Sequence, residues 1–348
     1  MAQILQSIVI SPKRSKMVNG VIQAENGDYI VVGRTYGKVD KAFAIRLDAQ
    51  GNTVWEQFFQ ADYSVFFQSV CGLKDGSIVA AGSSFYSEYS GDEDAWIVKL
   101  DEDGNKIAEK SLGSRDEQND AYDITATSDG GFIVTALALK KDSPKATSNT
   151  WVIKFDKNFD IQWEKQFSKG IAHSVIQTKD GGYALCGAHQ LPTLFSNPYV
   201  LRLDANGNMG WEHVYEDYKI YVLIDSGMSE DADGNLIMAS KTSIIKLNSS
   251  GNVLWERQSD DFRLTRTAVL PDGNYAFGGS LAKPPRKIDR AYLAVINSEG
   301  TKIISDNSEM VYPSGITRLI LDKQGFLTAS SYLRNTPYLS VFDFSTAL

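Results

Sequence analysis

One pattern recurs seven times along this chain, and a chain built that way has to stack like units against one another. Each copy opens on a two-residue turn signal: Asn26-Gly27, Asp75-Gly76, Asp129-Gly130, Asp180-Gly181, Asp233-Gly234, Asp272-Gly273 and Gln324-Gly325. Five of the six spacings fall between 49 and 54 residues, and one is 39. Asx-Gly between apolar runs is a hairpin signal, because both residues tolerate a positive φ. A short apolar strand follows each turn. Seven residues after the Asx stands a small residue: Gly33, Gly82, Ala136, Gly187, Ser240, Gly279 or Ser331. Smallness there predicts close backbone approach between neighbouring units.

A further strand repeats as AFAIRLD, AWIVKLD, TWVIKFD, PYVLRLD, TSIIKLN, AYLAVIN and PYLSVFD. It ends on Asp48, Asp101, Asp156, Asp204, Asn248, Asn297 or Asp343, and five residues earlier stands an aromatic in every copy except at Ser243. Three residues after the Asx comes Gly51, Gly104, Gly207, Gly251 or Gly300, with Phe159 as the exception. That spacing marks a tight turn with a positive φ at the glycine. Seven residues after the Asx comes Trp55, Trp163, Trp211 or Trp255, with Ala108 and Ile304 as departures. One more strand precedes each opening turn, so each copy supplies four strands.

About 50 residues per four-stranded unit is the signature of a propeller blade. The fold expected is an all-β, seven-bladed β-propeller of four-stranded antiparallel blades, a single domain over residues 1–348. The seventh copy ends after its third strand, at Val341-Phe342-Asp343-Phe344, and the strand at Ile4–Ile10 has no blade of its own. Pairing the two completes the last blade, closes the ring and removes two exposed edges. The DGG(Y/F) turn followed by aromatic-IxKLDxxGNxxW resembles a bacterial and archaeal β-propeller repeat family. Its turn-plus-Trp half is distantly similar to quinoprotein-like propellers, in which a blade-ending Trp docks on the adjoining blade. The resemblance covers essentially the whole chain and implies the fold. It implies no quinone, since the copies number seven rather than eight, and no cofactor is expected.

The net charge is −8, which argues against a nucleic-acid partner, because that needs a basic face to displace counterions. No apolar run approaches the roughly 18 residues of a membrane helix, so no membrane insertion is expected. The start, MAQILQSIVISPKR, has no basic leader region, and its apolar stretch is broken by Gln6 and Ser7. The protein is then cytoplasmic if Met1 is the native start, and exported or at the cell surface if a signal has been removed. Cys71 and Cys186 both fall in apolar strand patterns on different blades and are expected as buried free thiols.

Most chemistry-bearing residues fall on repeat positions and are accounted for by folding. All six Trp occupy the two aromatic positions, and the acidic turns Asp101-Glu102-Asp103-Gly104 and Asp231-Ala232-Asp233-Gly234 lack the remaining ligands of a calcium loop. His173, His189 and His213 are not at metal-ligand spacing. What varies is left to carry function, and loops on a rigid scaffold are where it belongs. A protein- or peptide-binding loop face is therefore the first reading of function, without catalysis. Its candidate residues are Tyr86, Tyr89 and Asp92 on blade 2, Lys140 on blade 3, His189 on blade 4, and Arg286 and Arg290 on blade 6.

The second reading is a glycan or small-ligand site at the central channel mouth. Seven residues before each opening turn stands a hydrogen-bonding side chain: Asn19, Gln68, Tyr122, His173, Ser226, Thr265 or Thr317. Asn19, Gln68, Tyr122 and His173, joined by the neighbouring Arg266 and Arg318, are its candidate residues. The third reading is a hydrolase or lyase at the same mouth, with His173 as base and Tyr122 or Asp123 assisting.

Overall fold

The opening turns fold as hairpins, and each copy becomes one antiparallel sheet. A computed structural model describes residues 3–10, 16–88, 91–141, 148–190, 195–217, 220–221, 226–240, 242–258, 262–281, 290–306, 316, 318–322, 325, 327–333 and 336–343. Blade 1 comprises Lys16–Gln23, Tyr29–Thr35, Lys41–Leu47 and Thr53–Phe59. Blade 2 comprises Val65–Gly72, Ile78–Phe85, Glu93–Leu100 and Lys106–Leu112. Blade 3 comprises Ala121–Ala126, Phe132–Lys140, Ser148–Phe155 and Ile161–Phe167. Blade 4 comprises Ile171–Gln177, Tyr183–Gln190, Phe195–Leu203 and Met209–Val214. Two-residue strands, Glu117–Gln118 and Ile220–Tyr221, add to the sheets of blades 3 and 4.

Blade 5 comprises Ser226–Glu230, Leu236–Ser240, Ser243–Leu247 and Val253–Gln258. Blade 6 comprises Phe262–Val269, Tyr275–Leu281, Arg290–Ile296 and Lys302–Asp306. Blade 7 has three strands of its own, Arg318–Leu321, Leu327–Leu333 and Thr336–Asp343. Its fourth strand is the N-terminal Gln3–Val9, which pairs antiparallel with Thr336–Asp343 from Gln3 opposite Asp343 to Val9 opposite Tyr338. The fold is a seven-bladed β-propeller whose last blade is completed by the N-terminal strand. Two compact units emerge from the contacts. One is Met17–Gln190 with Tyr199–Val214, and the other is Met1–Lys16, Leu191–Pro198 and Tyr215–Leu348.

The core lies between successive blades rather than within them, because each sheet is apolar on both faces of its inner strands. Blades 1 and 2 share Ile30, Val32, Phe67, Ile78 and Trp96, and blades 3 and 4 share Ile133, Val152, Tyr183, Leu185 and Leu201. Blades 5 and 6 share Ile237, Ala239, Tyr275, Phe277 and Tyr292. The aromatic of the third strand is buried in each of these sheets that has one: Phe43, Trp96, Trp151, Tyr199 and Tyr292. Blade 2's Trp96 stacks on Phe67 with ring centroids 4.9 Å apart.

The fourth strand carries a one-residue bulge just before the Trp position. In blade 1, Arg46 pairs with Trp55 and Leu47 with Thr53, so Val54 is the extra residue. The same irregularity occurs at the third-to-fourth pairing of blades 2 to 6. A bulge re-aims the side chain that follows it. The Trp55 indole Nε1 donates to Glu102 O of blade 2 at 2.9 Å, and Trp255 Nε1 donates to Ser298 O of blade 6 at 2.8 Å. The ring covers the turn glycine of that next blade. A Cβ on Gly104 would meet Trp55 at 2.9 Å, on Gly207 Trp163 at 2.8 Å, and on Gly300 Trp255 at 2.8 Å. Those glycines are needed twice over, for a positive φ and for room beneath an indole.

Between blades 2 and 3 both partners change together. Ala108 stands where the Trp belongs, and Phe159 stands in the turn of blade 3 where the Gly belongs. Phe159 is the non-glycine residue found at positive φ among the described residues, at 72°. Its ring is 5 % exposed, sits 5.7 Å from Phe132 and 5.6 Å from Phe155, and shares a core cluster with Ala108. The bulky group has moved from the fourth strand to the facing turn. A bulky residue at positive φ costs about 1–3 kcal/mol, and burial of a Phe contributes about as much or more.

A second repeated tie runs along blades 1 to 5. The basic residue of the third strand pairs with an acid of the opening turn: Arg46 with Asp28 at 2.7 Å, Lys99 with Asp75 at 3.3 Å, Lys154 with Asp129 at 2.9 Å, Lys246 with Asp231 at 3.1 Å, and Arg202 with Asp180. Lys154 is almost fully buried, so this pair compensates a charge the sheet has enclosed. In blades 6 and 7 Val295 and Val341 replace the base.

The small residue after each opening turn is explained differently from the sequence expectation. The close approach is inside the blade, not between blades. A Cβ on Gly33, Gly82 or Gly187 would fall 1.9 to 2.0 Å from Met17 O, Phe66 O or Ile171 O, all on the first strand of the same sheet. Gly82→Ala is therefore expected to lower unfolding free energy by more than about 2 kcal/mol. Gly76→Ala, at an open turn with φ of 83°, is expected to cost only about 1 kcal/mol. Urea unfolding of the two variants reads the difference. Deleting residues 1–10 should likewise lower the thermal midpoint and promote association through the bared edge at Thr336–Asp343.

Candidate functional site

Four members of the hydrogen-bonding series that precedes the opening turns sit on a second set of bulges, while Ser226 pairs regularly with Ser240. First-strand pairing skips Gln68 in blade 2, Tyr122 in blade 3, His173 in blade 4 and Thr265 in blade 6. Each of these is the extra residue of a bulge, where the strand register shifts by one.

Several of these groups tie blade to blade. Asn19 Nδ2 donates to Phe67 O at 2.7 Å, and Thr265 Oγ1 donates to Ile316 O at 3.0 Å. Arg266 Nη1 donates to Ser226 O at 3.3 Å and to Thr265 O at 2.6 Å. Asp123 links three blades: its Oδ1 accepts from Ser69 Oγ at 2.7 Å and its Oδ2 from Val175 N at 3.1 Å. Gln68 is half-buried, while Arg318 and Ser226 are buried. His173 is also buried, its ring edge-on to Tyr122 with centroids 4.8 Å apart. Burial, then the charges of Asp120 and Glu93, push the Tyr122 hydroxyl well above its usual value. The hydrolase or lyase reading took His173 as base with Tyr122 or Asp123 assisting; His173 is buried, and Asp123 is bonded to Ser69 and Val175.

Beside Tyr122 the blade 2–3 connection forms a strap, Ser114–Asp120, over the start of the third strand of blade 2. Asn119 N donates to Glu93 O at 2.9 Å, and Gln118 Nε2 donates both to Glu93 Oε1 at 2.7 Å and to Asp120 Oδ2 at 3.1 Å. Gly91 N donates to Glu93 Oε2 at 2.7 Å, and Ser83 Oγ to Asp120 Oδ1 at 2.6 Å. Two carboxylates thus share one amide donor in a buried place. Burial, then the negative charge of Asp120, pushes the Glu93 carboxyl up to about 7. The cation nearby, Lys141, is engaged elsewhere. Its Nζ donates to Tyr86 OH and Asp92 Oδ1, both at 2.6 Å, and to Arg115 O at 3.2 Å. Its hydrogen bond, followed by that of Ser87, holds the Asp92 carboxyl below the usual range. Burial raises the Asp94 carboxyl, and the Lys141 charge opposes that rise.

On the same loop end of blades 1 and 2 lies an aromatic stack the sequence reading did not assemble. The Arg34 guanidinium sits 5.1 Å from the centre of the Tyr36 ring and 5.3 Å from that of Phe66. Phe66 and Phe85 are 6.1 Å apart, and Arg34 reaches Asp40 at 3.8 Å. Tyr36 is 54 % exposed and Tyr63, in the connection just before, is 36 % exposed. Phe66, Phe85 and Tyr86 are half-buried. The stack leads directly into the strap, since Phe85 pairs with Glu93 across the hairpin of Tyr86 and Asp92.

Of the other expected loop residues, Lys140 is exposed with its backbone opposite Glu117, and His189 is half-buried with Nδ1 on Lys169 O. Arg290 begins the third strand of blade 6. Tyr89, Arg286 and Thr317 lie outside the described residues. A groove of about 710 Å³ runs between the fourth strands of blades 1 and 2, lined by Phe58, Phe59, Trp96, Lys106 and Glu109 among others, away from the polar series. The acidic turns are occupied by their own chain: Asp101 Oδ1 accepts from Asp103 N at 3.0 Å and Asn105 N at 2.8 Å. Among the described residues no group of three or more His, Cys, Asp or Glu side chains could hold a metal, and no helix is long and apolar enough to cross a membrane. Cys71 and Cys186 are buried free thiols.

No protein-family model matches the chain, and no curated protein sequence matches it. Solved structures do match. The Dos1 propeller aligns with a TM-score of 0.62 at 10 % identity, covering 95 % of this chain and 78 % of that one. BBS1N, solved in complex with ARL6DN, aligns with a TM-score of 0.58 at 11 % identity over 99 % of this chain and 98 % of that one. Sqt1 from Chaetomium thermophilum aligns with a TM-score of 0.56 at 11 % identity over 95 % and 82 %. At such identities the likeness is one of fold.

The Glu93 carboxyl gives a pH prediction with a definite sign. A folded-state value of about 7 against an ordinary 4.5 means that the protonated form is favoured on folding. Its contribution is full below about 4.5 and is lost as pH rises through about 7. The groups facing it are Asp120, Gln118, Tyr122 and the Gly91 amide, none of them a cation. Glu93→Gln mimics the protonated acid, so it should remove this loss and leave the variant more stable than wild type at pH 8, by up to about 3 kcal/mol. At pH 4 the two should be nearly equal. Chemical denaturation at both pH values measures it.

Proposed function

We propose that this chain is a non-enzymatic binding module that takes a protein or peptide segment on the loop end of blades 1 and 2. The observation that carries the reading is the Tyr36–Arg34–Phe66–Phe85 stack, with Tyr36 more than half exposed and Tyr63 exposed in the connection before Phe66. Tyr and Arg are over-represented among residues that dominate interface energies, and an aromatic ring on a rigid strand loses little conformational entropy on binding. Arg34 is held between two rings and against Asp40, so the surface is arranged before a partner arrives. Tyr86, Asp92 and Lys141 continue it over blade 2 as a hydrogen-bonded group. The repeated turn and Trp positions support grouping the chain with the bacterial and archaeal propeller repeats it resembles.

The glycan or small-ligand reading is less well supported, because Asn19, Thr265 and Arg266 already spend hydrogen bonds between blades. The test is selection of peptides from a random displayed library on wild-type protein. The selected pool is then rebound to a Tyr36→Ser/Tyr63→Ser variant, whose changes fall on exposed side chains and should leave folding intact. At least a ten-fold loss of binding is expected. Equal binding to the variant, or no enrichment on the wild type, would remove this surface from the function.

A further inference from the structure

The binding reading leaves the chemistry of the partner open, and the distribution of charge around the aromatic stack narrows it. On the blade 1 side of the stack the balance is basic: Arg34, Lys38 and Lys41 against Asp40. On the blade 2 side it is acidic. The hairpin around Tyr86 and the strap carry Glu88, Asp92, Glu93, Asp94, Asp116, Glu117 and Asp120, together with Asp62 in the connection before Phe66. Facing these eight acids are three cations, Arg115, Lys140 and Lys141. The Lys141 ammonium has already made three hydrogen bonds, to Asp92, Tyr86 and the Arg115 carbonyl. Arg34 is likewise committed, between its two rings and Asp40.

Asp62, Glu88 and Asp116 are exposed and form no ion pair among the described residues. They flank an apolar, preorganised surface. Charges on the rim of such a surface govern which partner approaches and in what orientation, while the buried rings hold it. An acidic segment would meet like charge over blade 2. A nucleic acid would meet the same repulsion along its whole backbone.

Resting on that binding reading, we infer that the segment bound at the loop end of blades 1 and 2 is a basic one. It would be an extended peptide stretch that places an apolar or aromatic side chain against Tyr36 and Phe85 and its Arg or Lys side chains over blade 2, toward Glu88 and Asp116. The hydrophobic contact and the charge are then separable, because they fall on different residues of the surface.

The peptide pool enriched on wild-type protein tests this by its composition. Sequencing should show a net charge shifted by at least about two positive charges per dodecapeptide relative to the input library. Selection on a Glu88→Lys/Asp116→Lys variant should abolish or reverse that shift. Both residues are exposed, so the variant should unfold at the wild-type temperature, which a melting curve checks. Peptides from the wild-type pool should lose about ten-fold or more in affinity for the charge-reversed protein and weaken between 50 and 300 mM salt. A pool of unshifted or negative charge, or a positive shift that survives the charge reversal, overturns the basic partner. In that event the surface itself still stands if the pool fails to bind the Tyr36→Ser/Tyr63→Ser variant. If the pool binds that variant as well as wild type, the surface falls too.

Discussion

The propeller depends on one repeated contact, a bulky ring from the last strand of one blade pressed onto the turn of the next. Sheets stacked face to face attract one another through non-directional burial, which fixes neither register nor angle. The ring supplies both. Its indole nitrogen bonds a particular carbonyl, Glu102 O or Ser298 O, and its face sits on a glycine with no Cβ to interfere. The bulge before Trp55 and Trp255 turns the ring out of the sheet so that it can reach. Where Ala108 leaves the wedge missing, Phe159 provides it from the other side, at a backbone conformation a phenylalanine rarely adopts. The volume between the blades is kept while the residue that fills it is not.

With blades fixed in this way, the first strands can come close and bond through side chains. Asn19, Asp123, Thr265 and Arg266 act there, and within each sheet the first strand leaves little space opposite, at Gly33, Gly82 and Gly187. Several members of a polar series that looks in sequence like a ligand site thus also tie blade to blade. The surface proposed for a partner is where the repeat is interrupted, in the long hairpin and strap of blades 2 and 3 and the aromatic stack beside them. The strap holds two carboxyls on one amide donor, Gln118, with the Glu93 carboxyl raised to about 7, so its stability is tied to pH near neutrality.

Much of this could be read from the chain. The turn signals, the aromatic of the third strand and the Trp position recur at fixed spacing, and spacing is what sets the four-stranded blade and the role of the N-terminal strand. The meaning of the small residue was harder, because Gly82 opposes a bulge at Gln68 and a one-residue bulge leaves no mark in composition. The link between Ala108 and Phe159 was present as two departures in consecutive copies, and it is visible only once the fourth strand is known to face the next turn. The site was least legible. Arg34, Tyr36, Phe66 and Phe85 come from three strands and a loop, each ordinary in its own segment, and pairing brings them together. Glu93 and Asp120 are 27 residues apart, and only the strap makes them neighbours.

The most direct test of the interblade wedge is a double-mutant cycle that returns the blade 2–3 contact to the common form, Ala108→Trp with Phe159→Gly. Phe159→Gly alone should cost about 3 kcal/mol by emptying the site, and Ala108→Trp alone should cost about 1–3 kcal/mol by overfilling it. Together they should recover near wild-type stability in urea unfolding, a coupling of at least about 2 kcal/mol. If the two costs simply add, the ring and the turn are not one contact, and the blades are held in register by something else.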